Sequence, residues 1–321
     1  MKQPKIYLAF LIIAIPLVLN AQQEPMYGQY IFNNSVINPA QAGGSNSNQW
    51  GVLARHQWIG IDGAPKTETA FANFRLPGQM GIAVGIYQDR LGPEVNLQFQ
   101  ADVAYHARLS ENWYLAGGLR IIGSHLKVNM SRVPHIDPDN PYFHEDLSSG
   151  LLLNAGVGLL AYTQSSFFGI AIPKAFRNQL GINEPGIIDF RKKEVRHLFA
   201  YAGSNIAISD EMTFIPSALF KYSENAPVQL DLNAVISFQD VLDFGPLLRS
   251  NVIEINNWFD AIGFLIGIQF LDNWYLGYMY EYPLTDLKHA ASPLRQTHEI
   301  SLRFIWDTKH HRRIGSPRYF L

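Results

Sequence analysis

The sequence predicts an all-β fold: a transmembrane up-and-down β-barrel of about 14 antiparallel strands, with an irregular N-terminal segment that possibly plugs the lumen. Three observations carry this prediction. The first is the stretch Glu94 to Ser110, where Val95, Leu97, Phe99, Ala101, Val103, Tyr105, Ala107 and Leu109 are apolar at every odd position. The even positions are polar apart from Ala104. A period of two places side chains on alternate faces of a strand. The length exceeds the five or six residues typical of soluble strands and covers the roughly 9–11 that a tilted strand needs to cross a bilayer. The second observation is an alternation of short and longer connections along the chain. The third is composition: charged residues are 16%, below the roughly 25% of soluble domains, while aromatics reach 13%. A wall facing lipid and carrying aromatic belts has this balance.

Taken in order, Met1 to Ala21 reads as a secretory signal peptide. Lys2 and Lys5 precede an apolar core from Ile6 to Leu19, with a cleavage site after Ala21. That run is short for a spanning helix, and no later stretch approaches the length. The chain has no cysteine, so neither a disulfide nor a lipid-modified cysteine anchor is expected. Residues 22–48 are polar and irregular, with turn signals at Asn38-Pro39 and Ala42-Gly43-Gly44, and form a lumen plug or a periplasmic lead-in. The barrel is expected over residues 49–306, followed by a basic periplasmic tail, 307–321, carrying Lys309, His310, His311, Arg312, Arg313 and Arg318.

The short connections are Pro77-Gly78-Gln79, Ser110-Glu111-Asn112, Gln164-Ser165, Ser209-Asp210-Glu211, Gln239-Asp240 and Asp272-Asn273. The longer ones cover Gly60–Lys66, Arg90–Pro93, Val128–Gly150, Pro173–Glu194, Ser223–Pro227, Ser250–Asn257 and Pro283–Arg295. Such sorting is expected of a barrel with tight turns at one end and larger loops at the other, both chain ends lying on the short-turn, periplasmic side. Gln229–Phe238, Ala261–Phe270 and Leu151–Tyr162 alternate well, whereas Arg196–Ile208 and Val241–Arg249 are weak. Asn112-Trp113-Tyr114-Leu115 recurs as Asn273-Trp274-Tyr275-Leu276, which places these aromatics at an interfacial girdle, as does Trp306 after Phe304.

Little chemistry is marked. There is no Gly-x-Ser-x-Gly elbow, phosphate-binding Gly-rich loop or His-Glu-x-x-His pair, so no enzyme activity, catalytic residue or cofactor is expected. A net charge of −2 argues against a nucleic-acid partner. The loop His135 to Asp146 has oxygen ligands at alternate positions, but lacks the Gly and distal Glu of a calcium loop, and reads first as a solvated loop. Asp102, His106, Arg108, Arg120, Asp231, Glu299 and Arg303 are candidate lumen residues, expected to fill the barrel with paired charges.

The run Arg55-His56-Gln57-Trp58-Ile59-Gly60-Ile61-Asp62-Gly63-Ala64-Pro65-Lys66-Thr67 resembles the signature of the PorP/SprF family of type IX secretion system membrane proteins. So do Gln29-Tyr30-x-Phe32-Asn33 and Asn38-Pro39-Ala40-x-Ala42-Gly43, and Thr297-His298-Glu299-Ile300 resembles the start of the family's last strand. The resemblance implies an outer-membrane barrel, touching outer-membrane lipid, that anchors or assists export of a secreted surface protein, such as a gliding adhesin. Its implied partners are that type IX substrate, other translocon components, or peptidoglycan-linked periplasmic components. The implied motif residues, structural or partner-contacting, are Tyr30, Phe32, Asn33, Asn38, Pro39, Ala42, Gly43, Arg55, Gln57, Trp58, Gly60, Asp62, Gly63, Pro65, Lys66, Thr67, His298 and Glu299. Gly60, Gly63 and Pro65 suit a tight extracellular connection, while the long loops Val128–Gly150 and Pro173–Glu194 suit recognition. An outer-membrane porin or solute transporter is the alternative that the polar lumen faces allow.

Overall fold

In the computed structural model, which describes residues 27–44, 47–132, 146–181, 191–224, 226–251, 259–284 and 295–307, alternation along the chain becomes alternation across a wall. Fourteen antiparallel strands form a closed barrel. They are β1 Ser47–His56, β2 Lys66–Leu76, β3 Met80–Leu91, β4 Glu94–Arg108, β5 Tyr114–Val128, β6 Leu152–Tyr162 and β7 Ser166–Ile172. The second half comprises β8 His197–Ser204, β9 Met212–Ser223, β10 Gln229–Phe238, β11 Leu242–Asn251, β12 Phe259–Phe270, β13 Trp274–Pro283 and β14 Thr297–Asp307. Each strand pairs with its sequence neighbour, and β1 pairs with β14 to close the ring, Ser47 opposite Asp307 and His56 opposite His298. Closure leaves no sheet edge for lipid to meet, as a bilayer with no water at its centre requires.

The faces sort as the period of two dictates. On β4, Phe99, Val103 and Tyr105 are exposed, while Gln98, Gln100, Asp102 and His106 are buried inside. On β12, Ile262, Phe264, Ile266 and Ile268 face outward in the same way. Near the short-turn end Trp50, Trp274, Phe304, Trp306 and Phe74 form one chain of ring contacts, with Trp50 5.6 Å from Trp274. Toward the other end Tyr278 and Tyr280 flank His298.

Tight turns are built from left-handed residues. Gln239 and Asp240 have φ of 51° and 54°, and Leu271 and Asp272 have 48° and 44°. Positive φ at both central residues matches the twist of the flanking strands. Three expectations change. Arg90–Pro93 is not a longer connection, because β3 runs to Leu91 and β4 starts at Glu94, with Gly92 (φ 56°) making the turn. Tyr275, expected in the girdle, is buried in the lumen and donates from Oη to Asp243 Oδ2 at 2.6 Å. Tyr114 likewise stacks on Tyr162, since each follows an outward Trp by one residue and so points the opposite way. Both weak segments form strands, β8 and β11.

Residues 27–44 lie inside the ring as three short 3-10 turns, Gly28–Phe32, Asn34–Val36 and Pro39–Gln41. Their path can be followed against β14, whose Thr297 is at the loop-bearing end. Gly28 and Gln29 meet Glu299, the Gln29 side chain meets Ser301, and the Phe32 carbonyl meets Arg303, each contact nearer the short-turn end. The segment then crosses to β6 and sweeps along the wall before entering β1. Asn38 donates to the Leu159 carbonyl, the Ala42 carbonyl accepts from His106 Nε2 of β4, and the Gly43 amide donates to Asn73 of β2. The described chain thus enters the lumen at the loop-bearing end and leaves at the short-turn end.

The expected signal peptide and 308–321 of the basic tail lie outside the described residues, as do 135–145 of the candidate calcium loop and 182–190 of the second long loop; Asp307 ends β14.

Candidate functional site in the lumen

The lumen site is assembled from strand residues that alternation turns inward and from the segment they grip. Glu299 accepts from the backbone amides of Gly28 and Gln29 at 2.7 and 3.0 Å. Arg55 of β1 binds Glu299 and also forks onto Glu281 of β13, at 3.1 and 3.2 Å. Glu281 in turn binds Arg249 of β11 at 3.0 Å, and Arg249 forks onto Asp231 of β10 at 3.0 and 3.1 Å. Lys221 of β9 completes the row on Asp231. Three cations and three carboxylates therefore balance to zero across β9, β10, β11, β13, β14 and β1. All six are buried. Pairing of this kind is what permits charge to remain away from water.

A second pair stands opposite. Arg120 of β5 forks onto Asp102 of β4, both bonds 2.7 Å, and also donates to the carbonyls of Val36, at 2.9 Å, and Ser35. Arg303 lies over the rings of Phe32 and Tyr275, at 4.5 and 4.2 Å from their centroids. Tyr30 receives the Asn233 amide at 2.9 Å and faces Ser217. Around these contacts Tyr30, Ile31, Phe32 and Ile37 pack against Leu160, Phe199, Ile215, Leu219 and Leu265 of the wall. Sequence reasoning missed this inward apolar set, because Leu160 and Leu265 look unremarkable among outward-facing apolar neighbours.

Close backbone approach requires glycine at two wall positions. A Cβ on Gly118 of β5 would overlap the Ala40 backbone, and one on Gly81 of β3 would overlap Ala42 and Gly43. Gly43 itself has φ of 65°, open to glycine at little cost.

The motif residues divide into three groups. Tyr30, Phe32, Asn33, Asn38, Pro39, Ala42 and Gly43 are buried in the lumen segment. Asn38 caps the last turn, its Oδ1 accepting from the Ala40 amide at 2.8 Å, and Asn33 accepts from Ser35. Arg55 and Glu299 are in the charge row, while Thr67 donates to Asp89 at 2.6 Å. Gln57, Trp58, Gly60, Asp62, Gly63 and Pro65 lie in the loop between β1 and β2, and Lys66 opens β2 opposite His56. There the Gln57 amide donates to the Pro65 carbonyl at 3.0 Å, the Ile59 amide to Gln296, and the Gly92 amide to Gly63 at 2.8 Å. Trp58, Gly60 and Gly63 have φ of 47°, 94° and 72°. His298 sits on the outer face, bonded to Tyr278 at 2.7 Å. Of the candidate lumen residues, Arg108 is outside this set. It lies at the β4–β5 turn, exposed, and donates to the Ser110 and Glu111 carbonyls, because the strand ends there. Asp146 of the candidate calcium loop pairs with Lys127 at 2.8 Å, and among the described residues no group of metal-ligating side chains occurs.

Among solved structures, the CymD monoaromatic hydrocarbon channel is 11% identical, with a TM-score of 0.51 over 90% of this chain and 95% of that one. That likeness shows the fold alone. A FadL homologue from Pseudomonas aeruginosa is 11% identical over 87% of this chain and 94% of its own, with a TM-score of 0.47. Omp33 of Acinetobacter baumannii is 12% identical over 80% of this chain and 98% of its own, at 0.42. No curated protein matches the sequence. The sequence model of one family, described as type IX secretion system membrane protein PorP/SprF, matches residues 19–304, nearly the whole chain, and the protein belongs to that family.

Proposed function

We propose that this barrel is a non-enzymatic outer-membrane component of type IX secretion that anchors, or assists export of, a secreted surface protein. Residues 27–44 would serve as a fixed floor that closes its lumen. The observation that carries this reading is the combination of family membership with a lumen segment held by buried ion pairs rather than by loose packing. A floor of this kind suits a holding device better than a conduit. Its motif residues would act in two ways. Arg55, Glu299 and the buried members of the lumen segment keep the floor in place. Trp58, Asp62 and Lys66, on the loop side, are available to partners.

In this reading the short-turn end faces the periplasm and the longer loops face outward, where Val128–Gly150 and Pro173–Glu194 contribute to recognition. The C-terminal end of β14 then faces periplasmic, peptidoglycan-linked or translocon partners.

Two measurements test the proposal. Gentle extraction of C-terminally tagged protein from its native membrane should recover a secreted type IX substrate or translocon components in fixed ratio. Single-channel recording of wild-type protein should give no steady open pore. A steady conductance with nothing co-purifying would transfer the reading to a porin or solute transporter.

A further inference from the structure

The outer wall carries a row of basic side chains where its apolar band ends. At the loop-bearing end of β14, β1, β2 and β3, His298 lies opposite His56, His56 opposite Lys66, and Lys66 opposite Arg90. All four are on the outward face, since alternation sends their neighbours Glu299, Arg55 and Thr67 into the lumen. Adjacent strands are about 5 Å apart, so the row sets four basic groups side by side. Like charges directly opposite each other weaken a sheet, and pairs of opposite sign are the stabilising choice. One acid joins the row from the next outward position of β2. Glu68 is 3.7 Å from Arg90, with both side chains about half exposed. An exposed pair of that kind contributes little, and a single carboxylate against Lys66 and Arg90 leaves positive charge in excess.

The surroundings of the row decide which anion it suits. Toward the middle of the wall the outward face turns apolar within two steps, at Ile300, Val52 and Ile86, all of them exposed. Beside the row Tyr280 lies opposite His298, their ring centroids 5.4 Å apart, and Tyr278 Oη is 2.7 Å from His298 Nδ1. Tyrosines concentrate where acyl chains give way to headgroups, so the row stands at that level. A soluble anion uses only the basic half of this surface, whereas a lipid uses both halves. Phosphate fits the donors, because an Arg fork and a Lys ammonium are its usual partners and its oxygens accept several bonds at once.

We propose that this face of the wall binds the phosphate-bearing headgroup of a membrane lipid. Lys66 and Arg90 grip the phosphate, His56 donates one more hydrogen bond, and the acyl chains lie on Val52, Ile86 and Ile300. His298, tied to Tyr278, bounds the site toward β13. The site is on the outside of the barrel and stands apart from the anchoring function, whatever the lumen or the loops hold. In the orientation given above, the lipid belongs to the outer leaflet.

The test uses full-length protein extracted from its native membrane in a neutral detergent. Wild-type barrel should retain phosphate-bearing lipid in fixed ratio, read by mass spectrometry of the intact complex. Lys66→Gln/Arg90→Gln should retain about tenfold less, the effect of losing two cations at the membrane surface. Folding of the variant is checked by its heat-modifiable gel mobility. Glu68→Gln should retain more lipid, because the competing carboxylate is gone, and a gain of this kind cannot come from damaged folding. Lys127→Gln removes a cation of β5 that is paired with Asp146 at 2.8 Å, and should leave retention unchanged. Monophosphoryl lipid A should rebind to delipidated wild type, and neither its dephosphorylated form nor inorganic phosphate should compete. Undiminished retention by the folded double variant, or equal rebinding of the dephosphorylated lipid, overturns the site. So does an equal loss in Lys127→Gln, or a wild type that neither retains nor rebinds the lipid. Displacement by inorganic phosphate overturns the lipid assignment. If the double variant does not fold, Glu68→Gln decides alone, and unchanged or lower retention overturns the site.

Discussion

Arg55 and Glu299 form a buried ion pair in the lumen; Arg55 was visible in the sequence only as part of a motif, while Glu299 was also expected to face the lumen. Their pairing was not legible there, because they lie on the first and last strands and meet only when β1 and β14 close, Arg55 directly opposite Glu299. Arg55→Ala leaves buried Glu299 with backbone donors alone and takes one of two cations from buried Glu281. It should destabilise the barrel by roughly 3–5 kcal/mol. The temperature at which the compact gel band is lost reads this directly. Adding Glu299→Gln should recover part of that loss, since the second change removes one of the stranded charges. A single variant as stable as wild type would mean that the row contributes little. Gly118 belongs at the same scale: its value lies in a hydrogen atom where any side chain would strike Ala40. Gly118→Val should unseat the floor and produce channel events in a planar bilayer, with the wall still folded.

At the scale of elements, the strands were legible because lipid on one side and a filled lumen on the other enforce the period of two. β4 is the clearest example, reading in sequence as it stands in the wall. The exceptions have local causes. Arg90–Pro93 looked like a loop for its Gly and Pro, yet these residues make a tight turn between two long strands. The lumen segment was legible as irregular, with Asn-Pro and Ala-Gly-Gly signals, but its path was not. Only contacts spread over most of the strands define that path, and nothing local in residues 27–44 encodes them. Deleting residues 27–44 should leave a folded ring with a steady conductance that wild type lacks. Silence of the deleted barrel would show that other parts of the chain close it. Shortening the Val128–Gly150 loop, by contrast, should preserve the silent, heat-modifiable barrel and reduce partner recovery.

For the molecule as a whole, the inner surface is divided. One side is a charge row that grips the start of the segment, and another is apolar and packs on its middle. Both hold residues 27–44 against the wall. Composition announced a membrane wall but not this division, because inward apolar residues such as Leu160 and Leu265 are compositionally identical to lipid-facing ones.

The direction of the lumen segment also constrains how the barrel can be made. Tyr27 is at the loop-bearing end and Ser47 begins β1 at the other, so the segment runs the length of the ring. It meets β14, one side of the closing seam, through Glu299, which also binds Arg55 on the other side. The expected order of assembly is therefore a last seam that closes around an occupied interior, with the segment as a former on which the wall is rolled. Refolding the ring first and supplying residues 27–44 as a separate peptide should give a slow or incomplete product, whereas the intact chain should close in one cooperative step.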